Sequence, residues 1–442
     1  MPRSRSLLDR VDTRNPSNDG RLNRLRGEGG TASFQLVVLL VPVVFGLMGF
    51  AVDLGRMYSA RNDLKNAANS IAQAAAVQLA GTAVSIENAT TAGMFAVSTA
   101  NGRGNMYDFG GLAIGESSAN LNSEPPVLNF YDTASSAIGT DGATGGEAGG
   151  TTARHVRVTV RGEAPLVFWR FLSLAQDGRL NLVAQSVAGV SSPVCQACGI
   201  EPMGVQAISQ EDTVDFGFTV GSRYTLGYLC NGGPNPGALA NTVQRVPYVL
   251  LNKYNESAQL LAEENTQLYR IGAMGLPANT DSNFSCIRYN GEELIWTNAA
   301  PLNCNQNRVN TQVTTYLCGL AARFDNVTVP AACNLVAETD TILGAATVDT
   351  DIADVEDYTA YIGNRRRVIT VPIIDTASTA TMVVLGFRQF LLEPNANDVT
   401  INAADQNGRF AALYLGTVMP VRAGRIDGCT LATGPGKVVL HQ

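Results

Sequence analysis

The 442 residues suffice for two or three domains of ordinary size and for a substantial buried core. A net charge of −7 and a pI near 5.1 leave no basic field to attract a phosphate backbone, which argues against nucleic acid as a partner. Only 16 % of residues are charged, against about 25 % in typical soluble domains, and small and polar types fill the difference, as in an exported, turn-rich chain.

Residues 1–28 hold Arg3, Arg5, Arg10, Arg14, Arg21, Arg24 and Arg26 without an apolar period, which predicts a disordered, Arg-rich tail. Residues 29–52 then contain no charge at all. The apolar run predicts a membrane span from Thr31 to Val52, long enough at about 1.5 Å per residue to cross a hydrocarbon core of about 30 Å. A cleaved signal peptide would be shorter and would end in a small-residue exit, so a retained anchor is expected. Pro42 and Gly46 are tolerable inside a membrane helix. The far flank offers only Arg56, Arg61 and Lys65, so the positive-inside rule puts the tail in the cytoplasm and exports the rest.

Leu54, Met57, Leu64, Ala68, Ile71, Ala75 and Leu79 recur at helical spacing, extending the helix to a stop at Gly81. Span and extension together would reach on the order of 75 Å. Residues 82–154 are rich in Gly, Ser and Thr and read as a loop region. Within 155–198, two alternating strands (HVRVTVRG and LNLVAQSVAGV) flank a short helix in APLVFWRFLSL, a small α/β unit. Residues 199–442 predict an exported α+β domain built on the strands RRVITVPIID, TMVVLGFRQFLLE and FAALYLGTVMPV, with helical candidates at 241–270 and 353–364. There is no internal repeat.

The fold class expected is thus α+β: an N-terminal transmembrane helix continuing as a long amphipathic helix, then an exported mixed α/β region with a disulfide-tied sheet domain. All eight cysteines (Cys195, Cys198, Cys230, Cys286, Cys304, Cys318, Cys333 and Cys429) fall on the exported side, where disulfides persist. Eight cysteines allow 105 pairings, and spacing does not choose among them. Cys195-Gln-Ala-Cys198 also has the spacing of redox sites and zinc knuckles. It stands alone, however, and His155 and His441 are the only histidines, so structural disulfides are the preferred reading.

Other motifs carry less. The run Asp349, Asp351, Asp354, Glu356 and Asp357 invites calcium but fails the EF-hand template at Ala353 and Asp354, and a solvated acidic face is preferred. Gly434-Pro435-Gly436-Lys437 lacks the hydroxyl and leading glycine of a phosphate loop, with Val438 and Leu431 in their places. Arg365-Arg366-Arg367 reads as a solvated strand edge. With no G-x-S-x-G and two histidines, no catalytic residue, metal or cofactor is assigned, and the chain is not expected to be an enzyme.

Gly29-Gly30, Pro42, Ala51-Val52-Asp53-Leu54-Gly55-Arg56, Leu64-Lys65-Asn66-Ala67-Ala68 and Ala74-Ala75-Ala76 closely resemble the N-terminal segment of the TadE/TadG-like proteins of the Flp (tight adherence) pilus. More loosely, HVRVTVRGEAPLVFWRFL, LNLVAQSVAGVSSPVCQACGIEPMGV, and RRVITVPIID with VVLGFRQFLLE resemble the TadG branch, so that about half the chain is covered. The resemblance implies a bacterial inner-membrane protein whose partners are the membrane and other pilus-assembly or envelope proteins, and it implies no reaction. Larger relatives carry a von Willebrand A domain with an Asp-x-Ser-x-Ser motif. The nearest string here, Asp375-Thr376-Ala377-Ser378, has the wrong spacing, so metal-dependent adhesion is not inherited.

Another branch comprises pseudopilins cleaved after a glycine, whose apolar helices self-associate in a filament. Cleavage between Gly30 and Thr31 would leave Gln35 where that family generally uses Glu, which disfavours this alternative. The function expected is therefore a membrane-anchored accessory protein for assembly or anchoring of a Flp-type pilus. A processed pilin-like subunit is the alternative, and an envelope thiol-disulfide protein a weaker one.

Overall fold

Leu, Ala and Met favour a helix, and an apolar segment without water can satisfy its backbone only by closing its hydrogen bonds internally. Residues Gly29–Val77 accordingly form one helix of 49 residues, α1, which Pro42 does not interrupt. It ends four residues ahead of Gly81, which adopts φ +77° in the turn that follows. The computed structural model describes residues 29–96, 126–139, 142–166, 168, 179–201, 203–229, 236–251, 286–294, 311–321, 323–324, 348–377, 381–394, 401, 405 and 407–441. The chain divides into two compact units, Met1–Ser59 with Ala164–Leu180 and Ala60–Glu163 with Asn181–Gln442.

In the second unit, the last turns of α1 lie on a four-stranded sheet of order β1-β2-β3-β14. Its strands are β1 (Val127–Tyr131), β2 (His155–Pro165), β3 (Arg179–Val190) and, from the far end of the chain, β14 (Val438–His441). The buried helix face is Leu64, Ala67, Ala68, Ile71, Ala72, Ala75 and Ala76, and small side chains at this spacing let the helix backbone approach the sheet. They meet Val156, Val158 and Val160 of β2 and Ala184 and Ala188 of β3. β14 pairs antiparallel with β3, Val438 opposite Val190 and His441 opposite Val187.

The stretch 82–154, expected as loop, contains β1 and three helices: α2 (Ser85–Ala96), α3 (Ala134–Gly139) and α4 (Gly146–Thr152). Composition misled because these elements have weak intrinsic propensity and depend on tertiary contacts. Thr82 and Ser85 staple the start of α2, the Thr82 N–H donating to Ser85 Oγ at 2.8 Å, and Ala89 of α2 enters the core beneath α1.

The C-terminal half is organised by a closed ring of strands. β5 (Met203–Gln206), β6 (Arg223–Tyr228), β7 (Arg245–Leu250), β10 (Val368–Ile374), β11 (Thr381–Glu393) and β12 (Phe410–Gly416) follow the order β10-β5-β7-β6-β12-β11, and β10 pairs again with β11. A short β9 (Glu292–Leu294) adds to the end of β11. Closure leaves the six ring strands without a free edge.

Alternate residues of every ring strand point inward: Met203 and Val205; Tyr224, Leu226 and Tyr228; Val246, Tyr248 and Leu250; Ile369, Val371 and Ile373; Phe390 and Leu392; Phe410, Ala412 and Tyr414. Helix α5 (Thr311–Ala321) adds Val313, Tyr316, Leu317 and Leu320 to this core. The helical candidate at 241–270 is thus corrected at its start, where RVPYVL has the period of a strand, and 252–270 lie outside the described residues. The candidate at 353–364 is also corrected. It contains only a 3-10 turn, Tyr358–Ala360, capped by Asp357 accepting the Thr359 N–H at 3.0 Å, because its aspartates bind nearby amides instead of continuing a helix. The helix expected in APLVFWRFLSL is replaced at its first residues by the end of β2, and most of the remainder lies outside the described residues.

Two layers cover the outside of the ring. Val355, Tyr358 and Tyr361 pack on Leu391, Leu413 and Leu415. Elsewhere a three-stranded sheet of β4 (Gln196–Cys198), β8 (Cys286–Arg288) and β13 (Ala423–Arg425), in the order β13-β4-β8, contributes Ala197 and Ile287 to a cluster with Val249, Ile374 and Phe387. The 355–365 segment also ties the ring to the base of α1: the Ala83 N–H donates to the Thr359 carbonyl at 2.9 Å and the Arg365 guanidinium to the Val77 carbonyl.

Candidate functional site

The first half of α1 presents an uncovered apolar surface. Its large side chains from Phe34 to Val52 are all exposed, with Leu39 at 73 % and Phe34 at 69 %, and its most apolar 18-residue window has a mean hydropathy of 2.4. So large a contiguous apolar surface is unfavourable in water and marks contact with lipid or protein. By length and composition this helix can cross a membrane. Gly30 and Thr31 lie in its first turn. Between Phe34 and Ser59 only Gly49 and Asp53, one turn apart, are buried, and within the first unit the Asp53 carboxylate accepts the Phe168 N–H at 2.9 Å.

The C-x-x-C cysteines do not pair with each other. Cys195 bonds Cys429, 234 positions away, and Cys198 bonds Cys286, 88 positions away, so the two bridges stitch the three-stranded sheet. Cys318 in α5 is also disulfide-bonded. Cys230, Cys304 and Cys333 lie outside the described residues. An open polar depression of about 490 Å³ borders the Cys195–Cys429 bridge, lined by residues 288–291 and 428–430.

The acidic run and the arginine triplet, read separately from sequence, converge. Arg367 is fully buried, which corrects its assignment to a solvated strand edge. Its Nη1 donates to the Leu392 carbonyl at 3.2 Å and lies 3.6 Å from Glu393 Oε2, while its Nη2 is 3.9 Å from Asp351 Oδ1. Its guanidinium sits 5.4 Å from the ring centres of both Phe324 and Tyr361. Asp349 and Asp351, 2 % and 8 % exposed, likewise do not belong to a solvated face. Asp349 accepts the Tyr361 hydroxyl at 2.6 Å and the Arg367 N–H at 2.8 Å, whereas Asp354, Glu356 and Asp357 are exposed as expected. Burial pushes the Glu393 carboxyl up to about 8 against the opposing pull of Arg367. In a second pair, Arg323 Nη2 donates to both carboxylate oxygens of Glu201, at 3.1 and 3.0 Å, and both side chains are 1 % exposed. Among the described residues no cluster of three or more His, Cys, Asp or Glu side chains is arranged to hold a metal ion. These groups serve the packing of the ring.

The two histidines, 286 positions apart, also meet: the rings of His155 on β2 and His441 on β14 are 5.1 Å apart. Burial first, then the neighbouring His441, lowers the His155 pKa. A histidine whose folded pKa is depressed stabilises the fold above its ordinary value of about 6.5, and that contribution is lost as pH falls through the lowered value. Acidification from pH 7 to 5 is therefore expected to lower the thermal midpoint and to lower the amide protection factors, relative to intrinsic exchange at each pH, along β3 and β14. A His155→Gln variant should flatten this dependence, and an unchanged slope would refute the role of the pair.

The fold defines a class: a chain with one long, half-bare apolar helix whose covered half packs on an antiparallel sheet, and a ring of strands beneath a disulfide-tied cover. Residues 30–78, all of α1 but its first residue together with Gln78, match the Tad family, described as Flp pilus-assembly TadE/G-like. No curated protein and no solved structure matches the chain. The match covers 49 of the 442 residues.

Proposed function

We propose that this chain is a membrane-anchored, non-catalytic accessory protein for the assembly or anchoring of a Flp-type pilus, with its N-terminus in the cytoplasm and the bulk of its mass exported. The observation that carries the reading is the coincidence of the bare apolar half of α1 with the segment that matches the Tad family. The excess of arginine ahead of the span supports the orientation. The two bridges from Cys195 and Cys198 support an oxidising compartment. Mechanistically the helix fixes location, its continuation carries the sheet, and the barrel and its disulfide-tied cover offer contact surface.

Protease treatment of spheroplasts tests the topology. An epitope at the C-terminus should be digested and one at the N-terminus protected, and the reverse pattern would sink the reading. Deletion of the gene should abolish Flp-type filaments, with restoration by the wild-type chain. Retention of normal filaments would remove the accessory role.

A second reading, a processed filament subunit that self-associates through α1, is favoured by Gly30-Thr31 at the start of a helix whose apolar half is bare. It requires a mature chain beginning at Thr31, which N-terminal sequencing of protein from native membranes decides. A thiol-disulfide enzyme centred on Cys195 and Cys198 draws no support from cysteines bonded to two distant partners.

A further inference from the structure

On the reading that α1 spans the membrane, we propose that Asp53 is a positioning residue that pins the turn after β2 to the exit of α1, so that Phe168 forms a second contact with the phospholipid interface. Asp53 directly follows 24 residues without a charge. A carboxylate at the border of a hydrocarbon core is costly unless it is paired or faces water, and such a residue marks a specific partner. Here the side chain is 5 % exposed, although Val52 and Leu54 beside it are 48 % and 50 % exposed. Its Oδ2 is turned to the Phe168 N–H, at 2.9 Å.

One helical turn earlier, Gly49 leaves the α1 backbone bare, and the Phe168 ring occupies the place a Cβ at position 49 would need. Hydrogen bond and ring contact are therefore in register at i and i+4 on one stripe of the helix. Residues 164–168 and 49–53 belong to the same compact unit, so this clamp is internal to it. The Phe168 side keeps 38 % exposure, an aromatic surface left beside the apolar helix. A lipid interface is the occupant that fits, because the exposed helix side chains from Phe34 to Val52 carry no charge and are almost all apolar, and the exposed Arg56 lies one turn past Asp53, on the side where a headgroup would sit.

The test uses the full chain in phospholipid nanodiscs, with Trp169→Phe and Trp296→Phe removing both native tryptophans and Phe168→Trp supplying the probe. Lipids brominated in the upper acyl chain should quench the probe, and its emission should be blue-shifted. Asp53→Ala in the same background is expected to reduce quenching about two-fold or more, whereas Asp53→Asn, which keeps an acceptor oxygen, should retain it. A chain that co-elutes with nanodiscs but is not quenched, or is quenched equally with Asp53→Ala, overturns the proposal and leaves the membrane reading intact. A chain that fails to enter nanodiscs overturns the membrane reading, and the proposal with it.

Discussion

Replacing Arg367 with Met is expected to cost 3–5 kcal/mol of stability, about the loss seen when one partner is removed from a buried ion group. The guanidinium is fully buried and is the positive charge set against Asp351 and Glu393, while its own backbone N–H is held by Asp349. Met fills much of the same volume between Phe324 and Tyr361, so the deficit would come from the uncompensated Asp351 carboxylate and the lost bond to the Leu392 carbonyl. Glu393→Gln provides the contrast. Burial keeps that carboxyl protonated up to about pH 8, so an amide resembles its folded state and should cost about 1 kcal/mol or less.

The pH dependence has a defined sign. Because the folded pKa of Glu393 is raised, its contribution is fully present below the unfolded value, about 4.3, and is lost as pH rises through about 8. Denaturant unfolding of the full chain at pH 6 and pH 9 should therefore show a fall that Glu393→Gln reduces. Equal costs for Arg367→Met and Glu393→Gln would refute this account of the cluster.

Removing the bridges to the C-x-x-C cysteines should have an effect of similar size. In the chain-entropy picture, closing loops of 234 and 88 residues stabilises by about 5 kcal/mol each, and observed losses for native disulfides run about 2–5 kcal/mol. The loops are nested, so the two contributions should not add. β4, β8 and β13 have three residues each and cannot hold a sheet by their own hydrogen bonds. Serine at Cys195 and Cys429 should release β13 first, seen as faster proteolysis around residue 425. Serine at Cys198 and Cys286 should free β8 and uncover Ile287. If reduction leaves the unfolding midpoint unchanged, the cover is held by the cluster around Val249 and Phe387, not by the sulfurs.

Some of this was legible residue by residue. The uncharged run and its helical continuation were readable because composition and a 3.6-residue period are local properties, and α1 runs through both. β10, β11 and β12 announced themselves as short apolar runs bounded by turn signals. Residues 82–154 concealed α2 because its Ser, Asn, Thr and Gly carry little helix propensity, and Ala89 gains its place only from the core under α1. Arg365-Arg366-Arg367 looked like a surface charge run because nothing local places Asp351 and Glu393 around the third arginine.

The sequence by itself therefore determined the apolar helix, the positions of the main strands and the segment that matches the Tad family, since each depends on neighbours within a few turns. Only the tertiary structure decided that six strands close into a ring, that β14 returns to the sheet beneath α1, and that Cys195 and Cys198 bond different partners. Those outcomes depend on contacts between residues tens to hundreds of positions apart, and local period and propensity carry no term for them.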